Sequence, residues 1–215
     1  MASSAPLPDA PRVAVFAKAP VAGAVKTRLH GILGAEGAAA LHSGLVRHAL
    51  ATAIASGVGP VELHCAPDEH HDFFIACAQR FGVRLVAQQG ADLGERMRNA
   101  FEAAFARGEA LVLIGSDCPA LDADELRRAA EVLRRDPAVI IPAEDGGYVL
   151  IGLARAVPGL FAKVDWGTDA VLRQTRARFA EAGSLCVELP PLWDIDRPED
   201  YARLAQEGLL EEVLS

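Results

Sequence analysis

One carboxylate in this chain stands where it could grip a hard cation. Leu111-Val112-Leu113-Ile114 is a continuous apolar run, the pattern of a strand buried on both faces. Gly115 ends it, and Ser116, Asp117, Cys118 and Pro119 follow at once. Pro119 keeps Cys118 extended and disfavours a further helical turn. In an open α/β sheet, ligands bind in the crevice beyond the carboxyl ends of the strands. An acid fixed there, Asp117, can hold a divalent cation against phosphate oxygens. The competing reading is a strand-end Asp that caps the helix expected near Asp122.

Two further loops carry acids. Glu144-Asp145-Gly146-Gly147-Tyr148 pairs two carboxylates with two glycines. Asp145 or Glu144 can accept from a substrate hydroxyl while the glycines permit close approach, or the segment is an ordinary Asp-Gly turn. Asp194-Ile195-Asp196 alternates, so both acids point to one side if the segment is extended. Either could complete a metal site with Asp117. The same stretch also reads as a helix start, with Pro198 at the first helical position and Glu199 and Asp200 in the first turn.

Opposite charge gathers in the first loop. Lys18, Lys26 and Arg28 lie within a few residues, with Gly23 between them and Thr27 beside the last two. Gly23 lets the backbone turn closely around a ligand, and loop N–H groups leading into a helix favour anions. Arg28 suits bidentate phosphate binding, while the lysines act as point charges. The spacing is neither a Walker motif nor a dinucleotide fingerprint. A solvated basic loop is the alternative.

These groups need a scaffold, and the chain alternates strands with helices almost throughout. Strand patterns fall at 12–17, 61–65, 83–87, 110–114, 139–142, 146–152 and 185–189. Helical patterns fall at 34–56, 69–81, 93–105, 122–135, 168–182 and 198–208. Short strands separated by helices imply right-handed crossovers and a mainly parallel sheet with helices on both faces. The Gly-bounded strand at 146–152 follows a turn and can run antiparallel. The Ala110–Ile114 strand, lacking a polar face, is expected at the sheet's centre. No internal repeat or second core is visible. The expectation is therefore one domain over residues 12–215 behind a frayed tail at 1–11.

Composition narrows the partners. The 215 residues carry 21 Lys+Arg against 29 Asp+Glu, a net charge of -8, which argues against non-specific nucleic-acid binding. No apolar run is long enough to span a bilayer, and the first residues lack a signal-peptide pattern. Cys65, Cys77, Cys118 and Cys186 are scattered without zinc spacing, which fits a reducing, cytoplasmic setting.

Six ordered segments carry a resemblance. They are Phe-Ala-Lys-Ala-Pro-x-x-Gly-x-x-Lys-Thr-Arg-Leu (16–29), Asp-Leu-Gly-Glu-Arg-Met (92–97) and Gly-Ser-Asp-Cys-Pro-x-Leu (115–121). Glu-Asp-Gly-Gly-Tyr-x-Leu-Ile-Gly-Leu (144–153), Trp-Gly-Thr (166–168) and Asp-Ile-Asp-x-Pro-Glu-Asp (194–200) complete the set. Together they resemble the "transferase 1", radical-SAM/selenodomain-associated family, glycosyltransferase-like members of the nucleotide-diphospho-sugar transferase superfamily. Phospholactate and molybdenum-cofactor guanylyltransferases are similar relatives.

The resemblance implies a GT-A-like, three-layer α/β/α sandwich. It implies Mg²⁺ or Mn²⁺ as cofactor, with Asp117 as metal ligand and Asp194 or Asp196 as the second contribution. It places nucleotide and phosphates on Lys18, Gly23, Lys26, Thr27, Arg28, Gly90, Leu93 and Gly94. The acceptor falls on Gly146, Gly147, Tyr148, Trp166 and Thr168, with Asp145 or Glu144 orienting it or acting as base. The chain departs from the superfamily in having Ser-Asp-Cys at the central strand where a full Asp-x-Asp is usual. The implied enzyme is a transferase using a nucleotide-activated donor and a small-molecule acceptor. Glycosyl transfer from a nucleotide sugar leads. Nucleotidyl transfer from a nucleoside triphosphate to a phosphorylated small molecule is the alternative, and a nucleotide-binding module without turnover the third.

Overall fold

A computed structural model describes residues 10–214. The expected tail at 1–11 therefore lies outside the described residues except for Ala10 and Pro11. Seven strands form one sheet: β1 (Arg12–Lys18), β2 (Val61–Ala66), β3 (Arg84–Ala87), β4 (Leu111–Gly115), β5 (Ala138–Pro142), β6 (Tyr148–Leu153) and β7 (Val187–Glu188). Their order is β3-β2-β1-β4-β6-β5-β7. Strand β6 runs antiparallel to both β4 and β5, and every other pairing is parallel. The mixed sheet with a central β4 is thus the expected architecture. A β5–β6 connection short enough for antiparallel neighbours explains the one reversed strand.

Alternation along β4 builds the three layers. Val112 and Ile114 face one core with Val15, Leu50, Leu63, Phe74 and Leu126. Leu111 and Leu113 face the other with Met97, Phe101, Ile140, Ile151 and Phe179. Helices α1 (His30–Ser56), α2 (Asp72–Phe81) and α4 (Ala123–Leu133) cover the first face. Helices α3 (Leu93–Phe105) and α5 (Val171–Glu181) cover the second. The helix expected from Gly34 starts four residues earlier, because a helical turn at 30–33 joins it across a kink at Gly34 (φ 67°, ψ 172°). Asp122 caps α4 by accepting from Glu125 N–H at 2.8 Å, which leaves Asp117 free of that duty.

A third, smaller core fixes the loops. Leu29 from the first loop, Leu41 and Leu45 from α1, and Trp193 and Ile195 pack with Leu204 and Val213. The last two belong to α6 (Pro198–Gln206) and α7 (Leu210–Leu214). Helix α7 was not legible in the sequence, since five residues are too few to show a helical period. This cluster clamps the basic loop and the Asp-Ile-Asp segment to each other.

Candidate active site

The sheet order reverses direction between β1 and β4, and the crevice beyond that switch point is where an open α/β sheet binds ligands. The basic loop leaves β1 and Asp117 follows β4, so the two face each other there. Lys26 Nζ lies 2.9 Å from Asp117 Oδ2 and also donates to the Ile195 carbonyl. The Lys26 backbone is left-handed (φ 48°), a conformation uncommon for a residue with a side chain and held here by those contacts. The Ile195 N–H donates to the Asp117 carbonyl at 2.8 Å. The carboxyl-terminal segment is thereby stitched across the strand ends, with Asp194 and Asp196 flanking a fully buried Ile195.

Asp117 has a second neighbour. His42 of α1 is buried, and its Nε2 sits 3.0 Å from the Lys18 carbonyl. A carbonyl only accepts, so Nε2 carries a proton. Nδ1 then faces Asp117 Oδ1 at 3.7 Å with no hydrogen-bond partner of its own. Burial works against the Asp117 charge, but Lys26 and His42 outweigh it and hold the carboxyl below the usual carboxylate range. Asp194 goes the other way. Burial, then the neighbouring Asp145 and Asp117, push it from 3.8 up to about 6, with Lys26 opposing. Burial pushes the Cys118 thiol up to about 12, which leaves it no thiolate for nucleophilic work.

The cleft has two contiguous halves. The larger, about 700 Å³, is lined by Lys18, Lys26, Thr27, Arg28 and Arg96, with His42, Ser116 and Asp117 at its base. The smaller, about 300 Å³, is lined by Met97, Leu113, Tyr148, Val149, Trp166 and Thr168, with Asp145 and Gly147 at its edge. Phe16, Arg28, Leu93, Gly115 and Asp196 border both. At that border Arg28 is ion-paired with Asp196. The structure thus brings together most of the residues singled out from the sequence.

Glu144, Gly23, Gly90, Gly94, Gly146 and Asp194 lie outside the cleft's lining. Glu144 points away, with its carboxylate 2.9 Å from Arg203 of α6. Asp145 alone of that acid pair borders the cleft, its Oδ1 accepting from Gly147 N–H at 2.8 Å. Gly23 and Gly90 lie outside the lining. The loop at 89–92 is instead held from α3, by Asn99 on the Gln89 carbonyl and Arg96 on the Gly90 carbonyl. Gly146 takes a positive φ (93°) hard against the Asp169 backbone and shapes the turn without meeting the cleft. Gly94 packs under Trp166, where a Cβ would fall 2.4 Å from the indole nitrogen. Gly94→Ala is accordingly expected to displace the Trp166 loop and cost about 1–3 kcal/mol, a fall of several degrees in Tm. Unchanged Tm and tryptophan emission would contradict that packing role.

The family model for DUF2064, described as an uncharacterized protein conserved in bacteria, matches residues 49–168. The chain belongs to this family. No curated protein matches it. A protein from Desulfovibrio desulfuricans G20, provisionally named a nucleotide-diphospho-sugar transferase, superposes with a TM-score of 0.79. The two are 28% identical over 94% of this chain and 97% of that one. A nucleotidyl transferase from Methanothermobacter thermautotrophicus gives 0.63 at 18% identity, over 94% and 99%. Rv0371c from Mycobacterium tuberculosis H37Rv, solved with manganese, gives 0.53 at 19%, over 94% and 98%. The DUF2064 chain therefore has the nucleotide-diphospho-sugar transferase fold, and the 28% identical transferase supports an enzymatic role.

Among the described residues of the DUF2064 chain, no three His, Cys, Asp or Glu side chains form a ready-made metal cage. Mg²⁺ and related hard cations are commonly held by one or two carboxylates, with substrate phosphates completing the shell. Asp117 is such a carboxylate, and Asp194 lies within electrostatic reach of it, although burial is the larger cause of the raised Asp194. Asp196 is ion-paired with Arg28, and Asp194 lies outside the lining of both halves of the cleft.

The titration of Asp194 gives a stability prediction. Its carboxyl is higher in the folded protein than its ordinary 3.8, so folding binds this proton more tightly. The associated stability is present in full below about pH 3.8 and is lost as pH rises through about 6. In EDTA, the Tm of the unaltered protein should fall relative to that of Asp194→Asn between pH 4 and 7. Parallel curves would show that Asp194 titrates normally.

Residues the sequence did not single out include His42, Gln88 and Arg96. His42 hides in an Ala/Leu helix beside Leu41, and no spacing ties it to Asp117. Gln88, at the end of β3, donates to the carbonyl of His64 at 2.8 Å and reaches that of Ala17 at 3.3 Å. Among the described residues, no helix is long and apolar enough to cross a membrane.

Proposed function

We propose that the chain is a divalent-metal-dependent transferase that moves the sugar of a nucleotide-diphospho-sugar onto the hydroxyl of a small acceptor. The observation that carries this reading is the partition of charge in the cleft. Its lysines and Arg96 gather in one half with Asp117, Arg28 and Asp196 stand at the boundary, and mainly apolar side chains line the other half with Asp145 at its edge. Such a cleft suits an anionic donor abutting an uncharged acceptor across a cation-binding edge.

In this reading Lys18, Lys26 and Arg28 bind the diphosphate, and Asp117 with Asp194 would hold the metal. A bound Mg²⁺ or Mn²⁺ would supply neutralisation of the leaving diphosphate. The acceptor hydroxyl oxygen forms a bond to the anomeric carbon as the bond from that carbon to the β-phosphate oxygen breaks. The nucleoside diphosphate leaves with the bonding pair, and the hydroxyl proton passes to the Asp145 carboxylate. Gln88, Ala91 and Leu93 border the space for the nucleoside, while Tyr148, Trp166, Thr168 and Gly147 border the acceptor.

A second reading, nucleotidyl transfer, draws on the likeness of the fold to nucleotidyl transferases and on a basic loop rich enough for a triphosphate. A thermal-shift panel of nucleotide sugars and nucleoside triphosphates, with and without Mg²⁺ or Mn²⁺, separates the two, since stabilisation follows ligand concentration over Kd. Metal-dependent stabilisation by nucleotide sugars above triphosphates is expected. The reverse order would favour nucleotidyl transfer, and stabilisation by neither would remove the donor assignment.

A further inference from the structure

The smaller half of the cleft has a chemistry of its own. Its walls are Phe16, Met97, Leu113, Tyr148, Trp166 and Val171. The platform is preformed. Trp166 rests on Gly94 and lies 6.5 Å from the Phe161 ring, which in turn stacks on Phe101 at 5.6 Å with an interplanar angle of 15°. A rigid aromatic surface offers contact area without the entropy of ordering it. At about 300 Å³ the space admits one ring with a short substituent.

Its polar groups are few and mostly committed. The Thr168 hydroxyl donates to the Asp165 carbonyl at 2.8 Å, and Tyr148 Oη is directed at Met97 Sδ at 3.8 Å. Among the described residues Arg28 is the one cation bordering this half, and on the donor reading it is committed to the diphosphate. Asp145 stands at the edge of this half, and Asp196 at its border with the other. A phosphate placed here would meet carboxylates and no free cation.

We infer that this half of the cleft selects an uncharged acceptor with a flat apolar face, presenting a hydroxyl at its edge to Asp145, and rejects phosphorylated acceptors. The inference rests on the reading of the larger half as the donor's phosphate site. It narrows the second substrate to hydroxylated aromatic or ring-bearing small molecules. It also separates this chain from a nucleotidyl transferase whose acceptor carries phosphate.

The test uses the unaltered protein and three probes at fixed ionic strength: 2-phenylethanol, 2-phenylethyl phosphate and glycerol. Binding is followed by saturation-transfer NMR and by tryptophan emission, since Trp166 faces this half and Trp193 is buried elsewhere. UDP with Mn²⁺ is titrated separately by calorimetry. The alcohol should bind at least about tenfold more tightly than its phosphate ester, glycerol should give no signal, and Trp166→Ala should abolish the response. An ester binding as tightly as the alcohol, or glycerol matching it, overturns the inference. If UDP with Mn²⁺ fails to bind while the alcohol still does, the donor reading falls and the acceptor selectivity stands. If UDP binds and the alcohol does not, the reverse holds.

Discussion

Asp117→Asn is expected to abolish the metal-dependent part of nucleoside-diphosphate binding and to lower turnover by at least about a hundredfold, in the range seen when one charge-stabilising group is removed. Asn keeps the shape of the side chain and discards its charge. Lys26 then retains the Ile195 carbonyl but loses its anionic partner at 2.9 Å. Strand β4 does not depend on this carboxylate, because Val112 and Ile114 are fully buried on their own account. The far-UV circular dichroism should therefore be unchanged. The deciding measurement is calorimetric titration of UDP with and without Mn²⁺, alongside Mn²⁺ binding followed by electron paramagnetic resonance. A variant that binds Mn²⁺ and UDP like the parent would show that Asp117 only anchors Lys26. His42→Gln serves as the companion, since it removes a positioning group from behind Asp117. It should shift the pH profile more than the donor KM.

Arg28→Ala is the second large effect. Arg28 borders both halves of the cleft, and its ion pair with Asp196 is solvent-exposed, so breaking the pair itself costs little. On the proposed reading, what the substitution removes is a charge-assisted contact to phosphate. Such a bond is worth roughly 1.5–3 kcal/mol, which is about a tenfold to hundredfold loss of diphosphate affinity. Nucleoside affinity should stay the same, because only phosphate contacts are lost. Arg28→Lys should recover part of the deficit without the bidentate fork. Titrating nucleoside, monophosphate and diphosphate at fixed salt checks this. An equal loss for all three would place Arg28 in the service of the fold.

The central strand could be read directly from the chain because a strand buried on both faces shows as an unbroken apolar run, whatever its partners. The return of β6 was legible for a related reason, since the Asp145-Gly146-Gly147 turn leaves too few residues for a crossover. The site was legible only in part. The two adjacent acids Glu144 and Asp145 are equivalent as letters, yet one meets Arg203 and the other the cleft, because the turn between β5 and β6 sends them different ways. The glycines at 90, 94 and 146 looked like ligand contacts. Their conformation and close packing are what the structure uses. His42 was invisible because its partners, Lys18 at the end of β1 and Asp117 after β4, are far from it in sequence.

The hydrogen bond from Lys26 to the Ile195 carbonyl spans 169 positions of chain. On the ribosome, the basic loop and four strands emerge well before Ile195 is made. A domain's amino-terminal part can begin to fold at that stage. Until the Asp-Ile-Asp segment arrives, however, Lys26 and Arg28 lack the carbonyl and carboxylate that aim them, and the third hydrophobic cluster lacks Trp193 and Ile195. Closing so long a loop comes late in folding. On the proposed reading, a chain that has not reached Ile195 lacks a formed phosphate site, and nucleotide binding would report that the segment at 194–196 has joined the first loop.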